Sequence, residues 1–466
     1  MSSSKPPLLS NATRDLAGFA AQLRYEDLPA EVIDSMKSSL LDSIGCCLYG
    51  VTLPWTQRVQ AMVQAEQAAP MASIFGSGQR TSIANAVLVN GTAGHAFELD
   101  DIHKESIVHA GSIAVPIALA YAERDGGWHG RDLLTVMTAG YEIGTRVGNA
   151  ATMSLFYRGF HPQGTSGVFV AAASAAKALG LDANRFLHAL GIAGSQAGGL
   201  MAAQEGAMVK RFHAGRAAQS GVYAAELAGR DFTGIEDVLE AAYGGYLSSY
   251  SDQPNAARLT DNLGTVWETA KVGYKPHASV TSIHAALDAL VHIMRDHDLS
   301  AEDIATVRVG VSNMTYVHCA WEYKAQGVTA AQMNLYYGLA VIAHDGVAFV
   351  DQYRQDRLAE PRLLNLIGRI EAYIDPEIER MGPPYRHAAV VTVVTRDGRE
   401  LLHRELNRRG SPENPIGRQD VEYKFRNVVD ACLSKQEVDR VIALVDQVEK
   451  LQDVSELINL LAAPYR

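Results

Sequence analysis

Cysteine is scarce in this chain: Cys46, Cys47, Cys319 and Cys432 are the four in 466 residues, and no CxxC spacing occurs. Neither a disulfide framework nor a zinc site of paired thiolates is therefore expected, and a reducing compartment fits best. Basic excess is lacking too, with 41 Lys and Arg against 52 Asp and Glu and a formal net charge of −11. That balance argues against nucleic acid or an anionic membrane as partner, since both need a positive surface. It leaves room for a locally positive pocket and a small anion. Long apolar runs are missing: stretches such as 113–121 stop well short of the about 20 residues that span a bilayer. The opening MSSSKPPLLSNATRDLAGF has no signal-type core, so the expectation is a soluble, cytoplasmic protein without membrane contact. No GxGxxG or GxxxxGK[ST] follows a strand-like run and no GxSxG elbow appears, which removes the usual grounds for a nucleotide cofactor or a Ser–His–Asp nucleophile.

What is present is a long, ordinary globular composition, 47% hydrophobic and 20% charged, enough for a large core and, by length, for two domains. Over 29–48 the apolar residues Val32, Ile33, Met36, Leu40, Leu41 and Ile44 recur at three and four, which predicts a helix with one buried stripe. The stretches 113–123, 133–149, 167–179, 185–201 and 215–228 read the same way and are rich in Ala and Gly, so a closely packed bundle is expected. The texture changes after Lys275. Residues 304–311 alternate Val307, Val309 and Val311 as a half-buried strand, and 389–402 reads as two strands about an Asp397-Gly398 turn. Helical patterns at 330–343 and 361–367 lie between them, and 421–461 returns to helix. The fold expected is mostly α. It comprises a large all-α domain starting in 1–272, a smaller α+β unit over 273–405, and C-terminal helices over 406–466 that complete the first domain.

Four segments concentrate polar chemistry. The stretch 96–109, AFELDDIHKESIVH, crowds Glu98, Asp100, Asp101, His103, Glu105 and His109 between two apolar helices. Such groups are costly to bury unless paired, hydrated or in use. Either Asp could equally cap a helix. At 159–167, GFHPQGTSG places His161 before a second helix start, where free N–H groups favour carboxylates. A single histidine before proline is also a common structural residue. At 206–215, GAMVKRFHAG carries Lys210, Arg211 and His213, which alone would suit a solvated turn as well as a site. At 274–284, YKPHASVTSIH holds Lys275, His277 and His284 at the junction of the two units. The histidines of the first segment are six apart rather than four, unlike H-E-x-x-H, and no metal site is expected.

These segments together resemble the MmgE/PrpD family, whose members include 2-methylcitrate dehydratase, cis-aconitate decarboxylase and iminodisuccinate epimerase. The likeness runs through NGTAGHAFELDDIHKESIVHAGS at 90–112, AGYEIGTRVG at 139–148, GFHPQGTSGVFVAAASAAKALGL at 159–181, VKRFHAGRAAQSG at 209–221 and YKPHASVTSIHAALDA at 274–289. The resemblance implies an all-α domain from both chain ends with an α+β lid, a homodimer, and a site between the domains that uses no cofactor or metal. It puts the family's DFDDT acids on Glu98-Leu99-Asp100-Asp101-Ile102 and its HPS or HPG histidine on His109. Its helix-start histidine falls on His161, its KxxH lysine on Lys210 and its junction lysine on Lys275. Tyr316 and Tyr337 match two lid tyrosines. Three departures from the pattern matter: Glu98 stands for Asp and Ile102 for Thr in the acidic motif, Ala110 stands for Pro after a segment one residue longer, and Lys275 is followed by PHASVTS where relatives often carry a Pro-Ser-Cys-type stretch.

The expectation is a lyase acting on a small anionic carboxylate, with Asp100, Asp101, His109, His161, Lys210 and Lys275 as catalytic candidates. Glu98, His103, His213, His284, Tyr316 and Tyr337 are expected to bind substrate. Lysines clamp carboxylates and developing negative charge, and imidazoles carry protons near neutral pH. Elimination of water from a hydroxy di- or tricarboxylate, as in 2-methylcitrate dehydratase, is the leading reaction expected. Decarboxylation of an aconitate-like acid and epimerisation of a dicarboxylate use the same groups. A non-catalytic carboxylate-binding protein is the alternative outside enzymes.

Overall fold

A computed structural model describes residues 11–465, and it is mostly helical, 59% helix against 9% strand, as the texture predicts. The first half carries α1 (Ala12–Gln22), α2 (Ala30–Val51), α3 (Pro54–Ala65), α4 (Ile83–Gly94), α5 (Gly111–Asp125) and α6 (Gly130–Tyr157). It continues with α7 (Pro162–Thr165), α8 (Gly167–Ala178), α9 (Ala183–Gly194), α10 (Val209–Ala228) and the short α11 (Tyr246–Tyr250). In α2 the expected stripe is buried at Val32, Met36, Leu40, Leu41 and Ile44, with Ile33 half-buried beside it.

Helix α10 packs against α4 and α8, and its buried face is Ala214, Gly215, Ala217, Ala218 and Gly221. Small residues here are a geometric requirement. A Cβ at Gly215 would lie 2.1 Å from the Leu88 carbonyl oxygen of α4, and one at Gly221 would lie 2.2 Å from the Ala171 Cβ of α8. The near backbone contact sets the second turn of α10 against the middle of α4. Among the helix boundaries that differ from the sequence reading, two lie on the segments with polar chemistry or next to them. The helix expected from 215 begins at Val209, so Lys210, Arg211 and His213 are helical rather than in a turn, and the one expected over 185–201 stops at Gly194.

Two short antiparallel ribbons break the helical part. Strands β1 (Ala72–Ile74) and β2 (Gln79–Thr81) pair with each other, and β3 (Ile102–His103) pairs with β4 (Val272–Gly273). The second ribbon joins residues far apart in sequence, Ile102 opposite Gly273. Beyond it lie α12 (His284–Asp296), β5 (Ile304–Val311), α13 (Asn313–Cys319), α14 (Val328–Met333), α15 (Leu335–Asp345), α16 (Pro361–Ile367) and β6 (Ile370–Ile374). Then come α17 (Pro376–Met381), β7 (Ala389–Thr395) and β8 (Glu400–Glu405). The sheet order is β6-β5-β7-β8, with β5–β6 parallel and the other pairs antiparallel. Gly398 takes φ 87° in the β7–β8 turn, the left-handed conformation that the Asp-Gly signal calls for. The helix read over 330–343 is broken at Asn334, whose side chain accepts from the Tyr337 N–H (3.0 Å) and caps α15.

The chain ends in α18 (Arg418–Val428), α19 (Lys435–Asp446) and α20 (Ser455–Ala462). Helices α18 and α19 pack on α2, and α20 packs on α5, so this tail returns to the first helices. From α18 the buried Lys424 reaches Asp42 of α2 (2.6 Å) and also donates to the Leu99 carbonyl. One contiguous cluster of buried apolar side chains includes Leu40, Phe169, Leu287 and Val309, from helical and sheet-bearing parts alike. No described helix is long and apolar enough to cross a membrane.

Because no side chain fits between α10 and α4, Gly215→Leu should destabilise the fold by at least about 2 kcal/mol, the usual scale for overpacking a tight contact. Thermal unfolding would show this as a lowered midpoint, and an unchanged midpoint would contradict the close approach.

Candidate active site

The β3–β4 ribbon carries Lys275 to the acidic segment. Its Nζ lies 3.2 Å from Glu98 Oε2 and 4.0 Å from Asp100 Oδ1. The first turn of α10 meets the same carboxylate: Arg211 Nη1 donates to Glu98 Oε1 at 2.7 Å, and Lys210 Nζ donates to that oxygen too. Three cations from two distant segments thus converge on one buried carboxylate. Burial alone would raise the Glu98 pKa, but Lys210, Lys275 and Arg211 hold it well below the usual range. Burial brings Lys210 down to about 8, with Glu98 pulling the other way. Arg211 also donates to Gln332 of α14 (3.1 Å), and Gln332 donates on to the carbonyls of Phe97 (2.8 Å) and Ala278 (3.0 Å). Glu98 itself is left-handed at φ 54°, and the β-branched Ile107 takes φ 56°. A non-glycine residue in this region costs about 1–3 kcal/mol, a strain that clusters at functional sites.

Behind this ion cluster lie the imidazoles. His95 Nδ1 donates to Asp100 Oδ2 at 2.7 Å, and His109 Nδ1 stands 3.3 Å from the other oxygen. Burial would favour a neutral Asp100, yet His109 and His95 hold it ionised, well below the ordinary value. Burial also brings His95 down to about 3, so it serves as a neutral donor. The His95 ring lies 4.9 Å from His109 and 5.7 Å from His161, centroid to centroid. His161 Nδ1 is 2.8 Å from His213 Nδ1, so one ring donates to the other. Burial and then the charge of Lys210 lower both, His161 well below its usual value and His213 to about 4. Gln163 of α7 clasps the His109 backbone, accepting from its N–H (2.8 Å) and donating to its carbonyl (2.9 Å).

Glu98, His109, His161, Lys210 and Lys275 line one cavity of about 70 Å³, together with Lys104, Gln204, Ser282, His318 and His387. Both the helical part and the sheet-bearing part contribute walls. Ile102 is among them, an apolar side chain where the family pattern has a hydroxyl.

Several residues expected at the site lie elsewhere. Asp101 accepts from Tyr141 Oη (2.6 Å) and from the Gly111 N–H (3.1 Å), holding the start of α5 from behind the cavity, and burial raises it to about 7. Asp100 is fully buried and acts on the cavity through His109. His103 uses both ring nitrogens, Nδ1 with Ser106 (3.0 Å) and Nε2 with Glu268 (3.1 Å), and does not line the cavity. His284 bonds the Ser279 carbonyl (3.0 Å) and packs edge-on to His277, while His213 stands behind His161. On α13, Met314 and His318 face the cavity, and Tyr316 points away because residues two apart do not share a helix face. Tyr337 donates to the Gln352 carbonyl (2.7 Å) and packs on Tyr323 and Tyr353. Conversely, His95, Lys104 and His387 stand at the site without having been singled out. His95 left a trace as an imidazole five residues before Asp100, and Lys104 lies within the polar stretch 96–109, whereas His387 left none.

Models of two domain families match this chain: the MmgE/PrpD N-terminal domain over residues 14–258 and the MmgE/PrpD C-terminal domain over 277–450. The chain belongs to the MmgE/PrpD family. Full-length relatives within it include the cis-aconitate decarboxylase-like protein oryM of Aspergillus oryzae, 31% identical over 97% of each chain. Cis-aconitate decarboxylase of Aspergillus terreus is 28% identical over 98% of this chain and 97% of the relative. The Homo sapiens enzyme of that name is 26% identical over 98% and 96%. For this MmgE/PrpD protein, His95, Asp100 and His109 are also close enough to share a metal ion. One donor pair is spent on a hydrogen bond, His95 Nδ1 to Asp100 Oδ2 at 2.7 Å, while His109 Nδ1 and Asp100 Oδ1 stand 3.3 Å apart with the Lys275 ammonium 4.0 Å from that oxygen.

A lysine held near 8 is a cation below that pH and is lost above it. The kcat/KM for a carboxylate substrate should therefore fall as pH rises through about 8. Lys210→Met should remove that alkaline limb and raise KM by about tenfold or more, the scale of one lost charge-assisted contact. A pH–rate profile with the limb unmoved in this variant would assign it to another group.

Proposed function

We propose that this protein is a cofactor-independent lyase that decarboxylates a small unsaturated polycarboxylate of the cis-aconitate class. The observation that carries the reading is the convergence of Lys210, Arg211 and Lys275 on Glu98 at a cavity whose imidazoles include His109 and His161. Three cations against one carboxylate leave capacity for further carboxylates in a buried setting where each contact is strong. Near full-length similarity to proteins named cis-aconitate decarboxylase supports loss of CO₂ over the dehydration expected from the sequence. The α+β part over 273–405, which supplies Ser282, Met314 and His387 to the walls, is taken as a lid over the helical part. The cytoplasmic, homodimeric setting belongs to the same proposal.

In this mechanism Lys275 and Lys210 hold the substrate carboxylates. One carbon–carboxylate bond breaks heterolytically and CO₂ leaves. The electron pair moves into the neighbouring unsaturated carboxylate system, the double bond shifts, and a proton from the His109 imidazolium forms the new C–H bond. Asp100, ionised 3.3 Å behind Nδ1, is the counter-charge for that imidazolium. Neutral His161, fixed by His213, hydrogen-bonds the substrate on the other side. Solvent returns the proton to His109.

Purified protein incubated in D₂O with cis-aconitate, 2-methylcitrate and related acids should release CO₂ from an unsaturated member and place one deuteron in the product. His109→Gln should lower kcat by about 100-fold or more, the scale of a lost general acid. Water elimination without CO₂ would restore the hydro-lyase reading, and no turnover across the panel would leave a carboxylate-binding protein.

A further inference from the structure

Away from the carboxylate cavity, the edge strand β8 and helix α12 bring three ligand-type side chains together. Along β8 the exposure alternates, with Glu400, Leu402 and Arg404 outward and Leu401, His403 and Glu405 half-buried. Residues two apart on a strand share a face, so His403 and Glu405 stand side by side. Helix α12 packs on β8 and adds His292. His292 Nδ1 lies 3.9 Å from Glu405 Oε2, and His403 Nε2 lies 3.8 Å from the same oxygen. The two rings stand 4.7 Å apart.

We propose that His292, His403 and Glu405 form a binding site for a divalent transition metal of the zinc class. Metal–ligand bonds of about 2.0–2.2 Å in a tetrahedron put donor atoms roughly 3.3–3.6 Å apart, so each histidine needs to close on Glu405 Oε2 by only a few tenths of an ångström, and all three donor atoms already lie within 4.8 Å of one another. Two imidazoles and a carboxylate favour Zn²⁺, Co²⁺, Ni²⁺ or Cu²⁺ over the hard, oxygen-seeking Ca²⁺ and Mg²⁺. His292 Nδ1 is buried without a hydrogen-bond partner, a condition that native proteins rarely leave uncorrected. Unlike the His95–Asp100 pair, these donors are not spent on one another at hydrogen-bond distance. The Asn407 N–H donates to Glu405 Oε1 (3.3 Å) and orients the carboxylate, leaving Oε2 toward the histidines. The basic side chains lining the same hollow are engaged elsewhere: Arg295 with Asp296 (2.9 Å), Arg409 with Asp420, Lys275 with Glu98 and Lys424 with Asp42. Partial exposure of all three ligands leaves a fourth position for water. A bound ion would staple α12 to the sheet edge without touching the lyase chemistry.

The test uses tag-free, full-length protein stripped with a chelator and titrated calorimetrically with Zn²⁺, with Co²⁺ absorption as the spectroscopic probe. One equivalent should bind at micromolar concentration or tighter, give the intense visible bands of tetrahedral Co²⁺, and raise the unfolding midpoint. Losing even an outer partner of a metal costs about 10–100-fold in affinity, so His403→Asn with Glu405→Gln should weaken binding at least tenfold. His292→Asn, on the other element, should do the same, and these variants should keep wild-type turnover. His109→Gln should bind as the wild type does. Absence of binding, or binding that survives the β8 variants, would overturn the assignment.

Discussion

Glu98 is a buried carboxylate shared by cations from two distant parts of the chain, and most of the local architecture serves to keep that arrangement closed. An unpaired buried charge costs several kcal/mol, so Glu98 cannot be withdrawn without stranding the three cations around it. The closeness of α10 to α4 brings Lys210 and Arg211 in, and the β3–β4 ribbon brings Lys275. Gln332 then fastens α14 to the same cluster through Arg211 and the Phe97 carbonyl. The left-handed backbone at Glu98 is sustained by this convergence, since three attractive partners outweigh a local conformational cost.

Around the ion cluster the titratable groups divide into two kinds. Glu98 and Asp100 stay ionised because positive or donating partners surround them, whereas His95, His161 and His213 are pushed towards neutrality by burial. Desolvation penalises any charge, and only groups with a close partner of opposite sign escape it. Asp101, one residue from Asp100, shows the contrast: its neighbours are Tyr141, the Gly111 N–H and the charge of Asp42, and it rises instead of falling.

Periodicity made the regular parts of the fold legible. The alternation of 304–311 and the Asp397-Gly398 turn appear as read, and so does the stripe of α2. Strand β6 alternates Ile370, Ala372 and Ile374, but its five residues are a short run directly after a helical pattern, and only Ile370 is buried. The helical start at Val209 was hidden by its charged residues, whose partner Glu98 lies over 100 positions away. In the site, the chemistry of Asp100, His109, His161, Lys210 and Lys275 marked a real spatial cluster. The same reasoning overreached at His103, His284 and Tyr337, whose polar atoms are satisfied by Glu268, Ser279 and Gln352. Long-range pairing of that sort leaves no trace in local spacing.

The reach of Lys424 from α18 bears on the order in which the protein is built. Asp42 and the Leu99 carbonyl emerge early in synthesis, yet the ammonium that accompanies them into the interior belongs to a residue made more than 300 positions later. A nascent chain that has not reached α18 must leave Asp42 hydrated or uncompensated, and the backbone next to Asp100 has one anchor fewer. Full closure of the acidic segment thereby waits for α18. Loss of α18 would take away both the cation paired with Asp42 and the donor to the Leu99 carbonyl, next to the buried Asp100.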